Sequence, residues 1–404
     1  MRIAVIGAGA SGLICAGFMA QAGAEVVLIE KNEKLGKKIY ITGKGRCNVT
    51  NACDEQQFLK NVATNPKFLM SSIYNFNSSA TMSFFEENGV KLKVERGERV
   101  FPESDKSNDI IQALTRFVKR NGVEIWLNTP CKSVKKQGDF LVELQNGQIE
   151  KFDRVVVATG GLSYQATGST GDGYGIAKSF GHTIITPRPA LVGVVTKQNV
   201  VSLAGLSLKN VQLSVVCDGK NVYSEFGEML FTHKGLSGPI VLSASSFINK
   251  CNLNNVSLLI DLKPALNANT LDLRLQREFG NIKAIKNVFK ELLPKSLIDY
   301  FLQYIGIDGE LRGCDITKAQ RALIVEALKN MQFNIQRLED INTAIITSGG
   351  VSTKEINPKT MESKLCEGLY FVGEVLDVDA FTGGFNLQIA FCTGVTASKF
   401  AVNS

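Results

Sequence analysis

The sequence predicts an α/β protein: a Rossmann-type dinucleotide-binding domain assembled from both ends of the chain and interrupted by a long insert, antiparallel β first and helical second. Three observations carry this. A βαβ pattern with glycines at its turn opens the chain. A second glycine-rich turn, between an apolar strand and a helix, closes it. Between about 190 and 340 the apolar periodicity changes from alternating to helical.

The opening unit is a buried strand over 2–6, a glycine turn, a helix over about 11–22 and a strand over 25–29. Gly7-x-Gly9-x-x-Gly12 stands at the turn. The first glycine lets the chain leave the strand, the second lets backbone approach a pyrophosphate, and the third lets helix and strand pack closely. The helix N-terminus then offers amide groups and its positive dipole end to the phosphates. Glu30 closes the second strand eighteen residues past Gly12, where a carboxylate can accept both ribose hydroxyls of an adenosine.

Strands and helices alternate to about 130, including a strand over 123–128 that runs on to Cys131. A hairpin-like pair is predicted next, 139–144 with 152–158, joined through Asn146-Gly147 and ending in Thr159-Gly160-Gly161. From about 190, Val211-x-Leu213-x-Val215, the Asp218-Gly219 turn and the run 256–262 indicate an antiparallel β-subdomain. Over 270–331 apolar residues fall at helical spacing, as in Leu271, Leu275 and Phe279, or Leu323, Ala327 and Met331, with breaks at Pro294 and Gly306. Packing against neighbouring helices is their ordinary role; a partner-binding face is the alternative. The expected limits are 1–190 with 341–404 for the cofactor domain, 191–265 with 332–340 for the β-subdomain, and 266–331 for the helices.

The closing strand, 369–372, runs into Gly373-Glu374, and Thr382-Gly383-Gly384-Phe385-Asn386-Leu387 opens a last helix over 387–400. A second glycine turn completing the same domain suits a longer cofactor, FAD, whose isoalloxazine lies far from its adenine. Amides at this helix start are placed to hydrogen-bond the flavin pyrimidine edge and to favour an anionic reduced flavin. An ordinary glycine-capped loop is the alternative.

The chain of 404 residues, 44% hydrophobic, can bury a large core, and nothing in it reaches the ~20 apolar residues of a membrane span. Met1 leads directly into the first strand without a basic leader, so a cytoplasmic protein is expected. Nine scattered cysteines without a CxxC argue for free thiols, and two histidines, His182 and His233, not spaced as ligands, argue against a His-based metal site. His182, in Phe180-Gly181-His182 after a helix, reads as a surface or cap residue. The net charge is +7, and Lys31, Lys34, Lys37, Lys38, Lys44 and Arg46 stand against Glu33 alone, a local +5. Such a segment attracts the phosphates of a dinucleotide or of RNA; a solvated basic loop is the alternative.

Lys44-Gly-Arg-Cys-Asn-Val-Thr-Asn51, Ala158-Thr-Gly-Gly161 with Gly168-Ser-Thr-Gly-Asp-Gly-Tyr174, Gly227-Glu-Met-Leu-Phe-Thr-His-Lys-Gly-Leu-Ser-Gly-Pro239, and Gly373-Glu-x-Leu-Asp-Val-Asp379 with Gly383-Gly-Phe-Asn-Leu-Gln388 resemble the HI0933-like flavoprotein family over essentially the whole chain. The resemblance implies a glutathione-reductase-like FAD domain interrupted by a β-barrel-like and a small helical insert. It also implies an NAD(P)/FAD-dependent oxidoreductase. Activities attributed to relatives include amine oxidation, reduction of unsaturated steroid ketones and dihydrouridine formation in ribosomal RNA. One departure is Gln165, after Ser163-Tyr164, where the family commonly has proline.

Carried over by motif, the FAD contacts are Gly7, Gly9, Ser11, Gly12, Glu30, Lys31, Arg46, Asn48, Cys131, Thr159, Gly160, Gly373, Glu374, Gly384, Asn386 and Leu387. Cys131 enters through its backbone, at the end of a strand that touches adenine in related domains. Two residues are candidates for catalysis. His233, in a glycine-rich motif of the insert, has an imidazole suited to passing a proton to substrate while the flavin passes hydride; a hydrogen-bonded structural histidine is the alternative. Cys47 offers a thiol beside the flavin, with a small packing residue as its rival.

The reading is an FAD-dependent oxidoreductase moving hydride through flavin N5 where the cofactor domain meets the insert, with a small-molecule substrate. Gly168-x-x-Gly-x-Gly-x-Gly175 lacks the flanking strand and helix of a second dinucleotide fingerprint. NADH or NADPH is therefore expected as a transient donor entering by the substrate route, with ping-pong kinetics. An RNA-modifying flavin reductase is the first alternative, although no RRM, KH or OB signature is present. A flavin-bound sensor or assembly factor is the second.

Overall fold

The computed structural model describes residues 1–280 and 282–403. The chain forms two compact units, Met1–Pro189 together with the chain from Ile341 onward, and Ala190–Asp340.

The first unit is built on a five-stranded parallel sheet. Its centre is β1 (Arg2–Ile6), followed by helix α1 (Ala10–Gln21) and β2 (Glu25–Ile29). Across the sheet the order is Leu369–Phe371, Arg154–Val157, β1, β2, Glu124–Trp126. Ile6 pairs with Val157 on one side and Ile29 on the other, so three strands end level with one another. Ile3, Ala4 and Val5 are fully buried, as are Val155, Val156 and Val157. Continuous apolar runs of this kind belong to parallel strands covered on both faces. Phe18 of α1 anchors an aromatic cluster, with ring centroids 5.0 Å from Phe117 and 5.7 Å from Phe84.

The hairpin read from the sequence has a different second strand. Asp139–Leu144 pairs with Ile149–Phe152 across the Asn146-Gly147 turn, while Arg154–Val157 joins the parallel sheet. Asp153 is where the chain crosses over: its carboxylate accepts the Arg2 N–H at 2.6 Å, and its own N–H donates to the Arg2 carbonyl at 2.8 Å. The strand read over 123–128 stops at Trp126, because Asn128 turns into the left-handed region (φ 52°) ahead of Pro130. Cys131 therefore opens a strand, Cys131–Gln137, rather than ending one. A helix, Asp172–Ser179, does follow Gly168 and Gly171, but a 3-10 turn, Gln165–Thr167, precedes them. His182 is buried rather than at the surface, with Nε2 2.8 Å from the Ser363 hydroxyl and Nδ1 3.3 Å from Glu355.

The second unit contains a closed antiparallel barrel in the order Val194–Thr196, Gly235–Ser237, Lys220–Phe231, Ser207–Cys217, Val256–Asp261, Met331–Leu338. Val211, Leu213 and Val215 alternate inward, as do Val256, Leu258 and Ile260. Closure leaves these strands no open edge. Helices Ala268–Phe279, Lys295–Ile305 and Lys318–Lys329 lie between the last two barrel strands in sequence. Each has a local stop or start signal. Asn267 caps the first, Gly306 ends the second at φ 68°, and Thr317 with Gln320 forms a capping box on the third. Barrel and helices share one apolar core, in which Tyr300 stacks on Phe333. The buried face of the third helix is Ile324, Val325, Ala327 and Leu328. Leu323, read as part of that stripe, is exposed, and Met331 begins a strand.

Candidate cofactor site

Where β1 stops, Gly7 turns the chain at φ 104°; a Cβ there would stand 2.5 Å from the Ala158 carbonyl. Gly12 is equally constrained, since a Cβ would meet the Gly7 carbonyl at 1.9 Å. Gly9 differs: its φ is −81° and the space where a Cβ would point is open for 4 Å. No side chain caps α1 and its first turn carries no acid. Its leading amides therefore face an open cleft.

The cleft holds about 1180 Å³, mouth included, and lies wholly within the first unit. Gly7, Gly9, Ser11, Glu30, Lys31, Cys131, Thr159, Gly160, Glu374, Asn386 and Leu387 line it. Glu30 is buried and its carboxylate is held on both oxygens, by the Ala8 N–H at 2.8 Å and by the Asn32 N–H and side-chain amide at 2.8 and 2.6 Å. Lys31 pairs with Asp172 at 2.7 Å. The Thr159 hydroxyl is buried without a hydrogen-bond partner among the described residues. Burial pushes the Cys131 thiol up to about 12, so it stays protonated.

Gly12, Gly373, Gly384, Arg46 and Asn48 do not line the cleft. The glycines act from behind: a Cβ on Gly373 would reach the Ser11 hydroxyl at 2.5 Å, and one on Gly384 the Thr50 carbonyl at 2.3 Å. Gly373 lets the closing segment seat against the start of α1, and Gly384 lets it pass the strand Thr50–Asn51. Asn386 spends its side chain on its own loop, accepting from the Ala380 N–H at 2.9 Å and donating to the Ala380 carbonyl at 2.7 Å. Arg46 is engaged by Asp105 at 2.8 Å and by Glu95, and lies over the Phe101 ring at 4.1 Å. The Asn48 amide oxygen is buried without a hydrogen-bond partner among the described residues. Cys47 is fully buried at φ 60°, and burial raises its thiol to about 12, partly offset by a hydrogen bond with Thr42. That is the environment of a packing residue more than of a nucleophile. His233 is exposed in the second unit, between the strands Lys220–Phe231 and Gly235–Ser237.

The sequence reading named Glu374 but missed the polar cluster that holds it. Lys38, on helix α2 (Lys37–Ile41), reaches Glu374 at 2.5 Å and the Ser163 hydroxyl at 2.6 Å, and Lys38 and Glu374 both line the cleft. Lys38 stood only as one member of a basic run. No pattern marked Thr347, which fixes Ser163 from behind.

These features suit FAD. The open approach at Gly9 and the uncapped start of α1 fit a diphosphate, the pinned Glu30 fits a ribose diol, and the unpartnered Thr159 hydroxyl is a donor awaiting an acceptor. Among the described residues no group of three or more His, Cys, Asp or Glu side chains could hold a metal ion, and no helix is long and apolar enough to cross a membrane.

A family model described as the HI0933-like protein Rossmann domain matches residues 1–400. The chain is 30% identical to the 3-dehydro-bile acid delta(4,6)-reductase of Clostridium scindens, covering 99% of this chain and 98% of that protein. It is 32% identical to the ribosomal RNA dihydrouridine synthase of Haemophilus influenzae, covering 96% and 95%. Among solved structures, the 3-ketosteroid-delta4-(5alpha)-dehydrogenase of Rhodococcus jostii RHA1 shares the fold at a TM-score of 0.51 and 13% identity, over 100% of this chain and 96% of that one.

Proposed function

Because this chain belongs to the HI0933-like family and is an FAD-dependent oxidoreductase, we propose that the cleft of the first unit holds the FAD and that the enzyme reduces a carbon–carbon double bond conjugated to a carbonyl, in a small-molecule substrate. The observation that carries the cofactor assignment is the pairing of an uncapped helix start at Gly9–Ser11 with the fixed carboxylate of Glu30. When bound, FAD supplies hydride chemistry. The amides of α1 receive the diphosphate, Glu30 receives the adenosine ribose, and the turn at Gly383-Gly384 brings Asn386 and Leu387 to the other end. The reaction type is supported by the names of two relatives, since a bile acid delta(4,6)-reductase and a dihydrouridine synthase both saturate such a bond.

NADH or NADPH is the proposed electron donor, reaching the flavin by the substrate route. Gly168, Ser169 and Asp172 of the glycine run line the cleft, and a 3-10 turn rather than a strand precedes the run, so it lacks the strand of a second dinucleotide fingerprint, and that supports a shared route.

A second reading, reduction of uracil in ribosomal RNA, is favoured by the Haemophilus influenzae relative. The basic run that pointed to RNA gives it less support than its charge promised. Lys31, Lys37, Lys38 and Arg46 are paired with Asp172, Glu33, Glu374 and Asp105.

The test is the visible spectrum of the purified protein under anaerobic titration with NADH and NADPH, followed by product analysis on an unsaturated ketone and on ribosomal RNA. A yellow protein bleached by either nucleotide and turning over the ketone is expected. A colourless protein that takes up no FAD would overturn the reading, and salt-sensitive turnover of RNA alone would select the second one.

A further inference from the structure

We infer that Lys38 is a positioning residue of the FAD site, whose ammonium neutralises and orients the Glu374 carboxylate so that this acid can face a dianionic cofactor. This rests on the assignment of the cleft to FAD. The two side chains are largely withdrawn from water, 21% and 13% exposed, and meet at 2.5 Å. Every other contact of the pair serves the same geometry. The Ser163 hydroxyl accepts from Lys38 at 2.6 Å and donates to the second Glu374 oxygen at 2.8 Å. The Thr347 N–H donates to that oxygen at 2.9 Å. The Thr347 hydroxyl in turn accepts the N–H groups of Leu162 and Ser163 at 2.8 and 3.0 Å. Ser163 and Thr347 are fully buried.

Three segments remote in sequence thus converge on one carboxylate that lines the cleft. The neighbouring lysines are committed elsewhere, Lys31 to Asp172 and Lys37 to Glu33, so Lys38 is the cation that answers Glu374. Two of its three donors are taken by Glu374 and Ser163. Removing it would leave a poorly hydrated, unanswered carboxylate lining the cleft assigned to FAD, and a half-withdrawn ion pair loses more when one partner is removed than when both are.

A double-mutant cycle tests this: Lys38→Met, Glu374→Gln, the pair together, and Lys38→Arg, with FAD dissociation constants read from flavin fluorescence on dilution of the holoenzyme. Lys38→Met should weaken FAD by about tenfold or more, the double variant should bind better than Lys38→Met, and Lys38→Arg should stay within about threefold of the wild type. If Lys38→Met does not fold, as judged by far-UV circular dichroism, Lys38→Gln completes the same cycle. Additive changes, or unaltered affinity in Lys38→Met, would overturn the assignment of Lys38 alone. A wild-type protein that holds no flavin would instead remove the cofactor reading beneath it.

Discussion

The carboxylate of Glu30 accepts the N–H of Ala8 at 2.8 Å, tying the end of β2 to the turn that follows β1. One residue therefore shapes the loop and presents an acceptor to the cleft. Hydrogen bonds to a charged group are worth ~1.5–3 kcal/mol each. Glu30→Ala should raise the FAD dissociation constant by about 10–100-fold, measured by fluorescence titration; a change under about threefold would argue that Glu30 only supports the loop.

The fingerprint glycines should separate folding from binding. Gly9→Ala places its methyl in open space at an ordinary φ, so the flavin-free protein should keep its Tm while FAD affinity falls. Gly12→Ala drives a Cβ to 1.9 Å from the Gly7 carbonyl and should not yield a stable fold. Equal Tm losses in the two variants would contradict this.

Thiol chemistry should follow exposure. Cys314 is exposed, whereas Cys15, Cys47, Cys217 and Cys392 are buried. A thiol reagent at neutral pH should therefore label Cys314 first and reach Cys47, raised to about 12, only on unfolding. The flavin of Cys47→Ala should still be reduced by the proposed nicotinamide donor. Loss of that reduction in a folded, flavin-loaded variant would restore Cys47 as a redox residue.

Burial lowers the pKa of His182 below its ordinary 6.5, with Glu355 opposing in part. The folded state then favours neutral imidazole while the unfolded chain binds the extra proton. Stability from this term is present above pH 6.5 and is lost as pH falls from there toward the lower folded value. Tm should drop through that window in the wild type and more shallowly in His182→Gln; parallel curves would exclude His182 as the source.

His233→Asn should leave FAD affinity unchanged, because the residue lies outside the unit that contains the cleft. Lower kcat with unaltered flavin binding would give His233 a role with substrate, and unaltered kcat would leave it structural.

The sequence was most informative where contacts are local. Gly7, Gly9, Gly12 and Glu30 lie within one βαβ unit, and their spacing carries the geometry of the turn. The closing turn at Gly383-Gly384 was legible for the same reason. Glu374 was legible from its Gly373-Glu374 motif, but the partners that hold it, Lys38, Ser163 and Thr347, were not, since each is polar, common and meaningful only once the fold has gathered them. The charge of the 31–46 run was legible but its pairing was not, because Asp172, Glu374, Glu95 and Asp105 answer part of it from distant positions. The second strand of the hairpin was misplaced because Phe152 was read together with the apolar run 155–158, while Ile149–Phe152, with Glu150 and Lys151 inside it, shows no apolar run of its own; only pairing with Arg2 at Asp153 divides the two strands. Leu323 was assigned to a buried stripe by spacing alone, which cannot choose between adjacent faces of a helix.

The parallel sheet is completed by Leu369–Phe371, and α1 is covered by the helix Phe385–Asn403, whose Gly394 passes so close that a Cβ would stand 2.7 Å from the Ser11 carbonyl. The ribosome delivers both of these pieces after the rest of the same unit. The contiguous stretch from Ala190 to Asp340 can fold as a block while the chain is still emerging, but the flavin domain stays unfinished until its far C-terminal strand arrives. FAD loading should therefore wait on these segments, and a nascent chain stalled before residue 369 should lack a complete site for the cofactor.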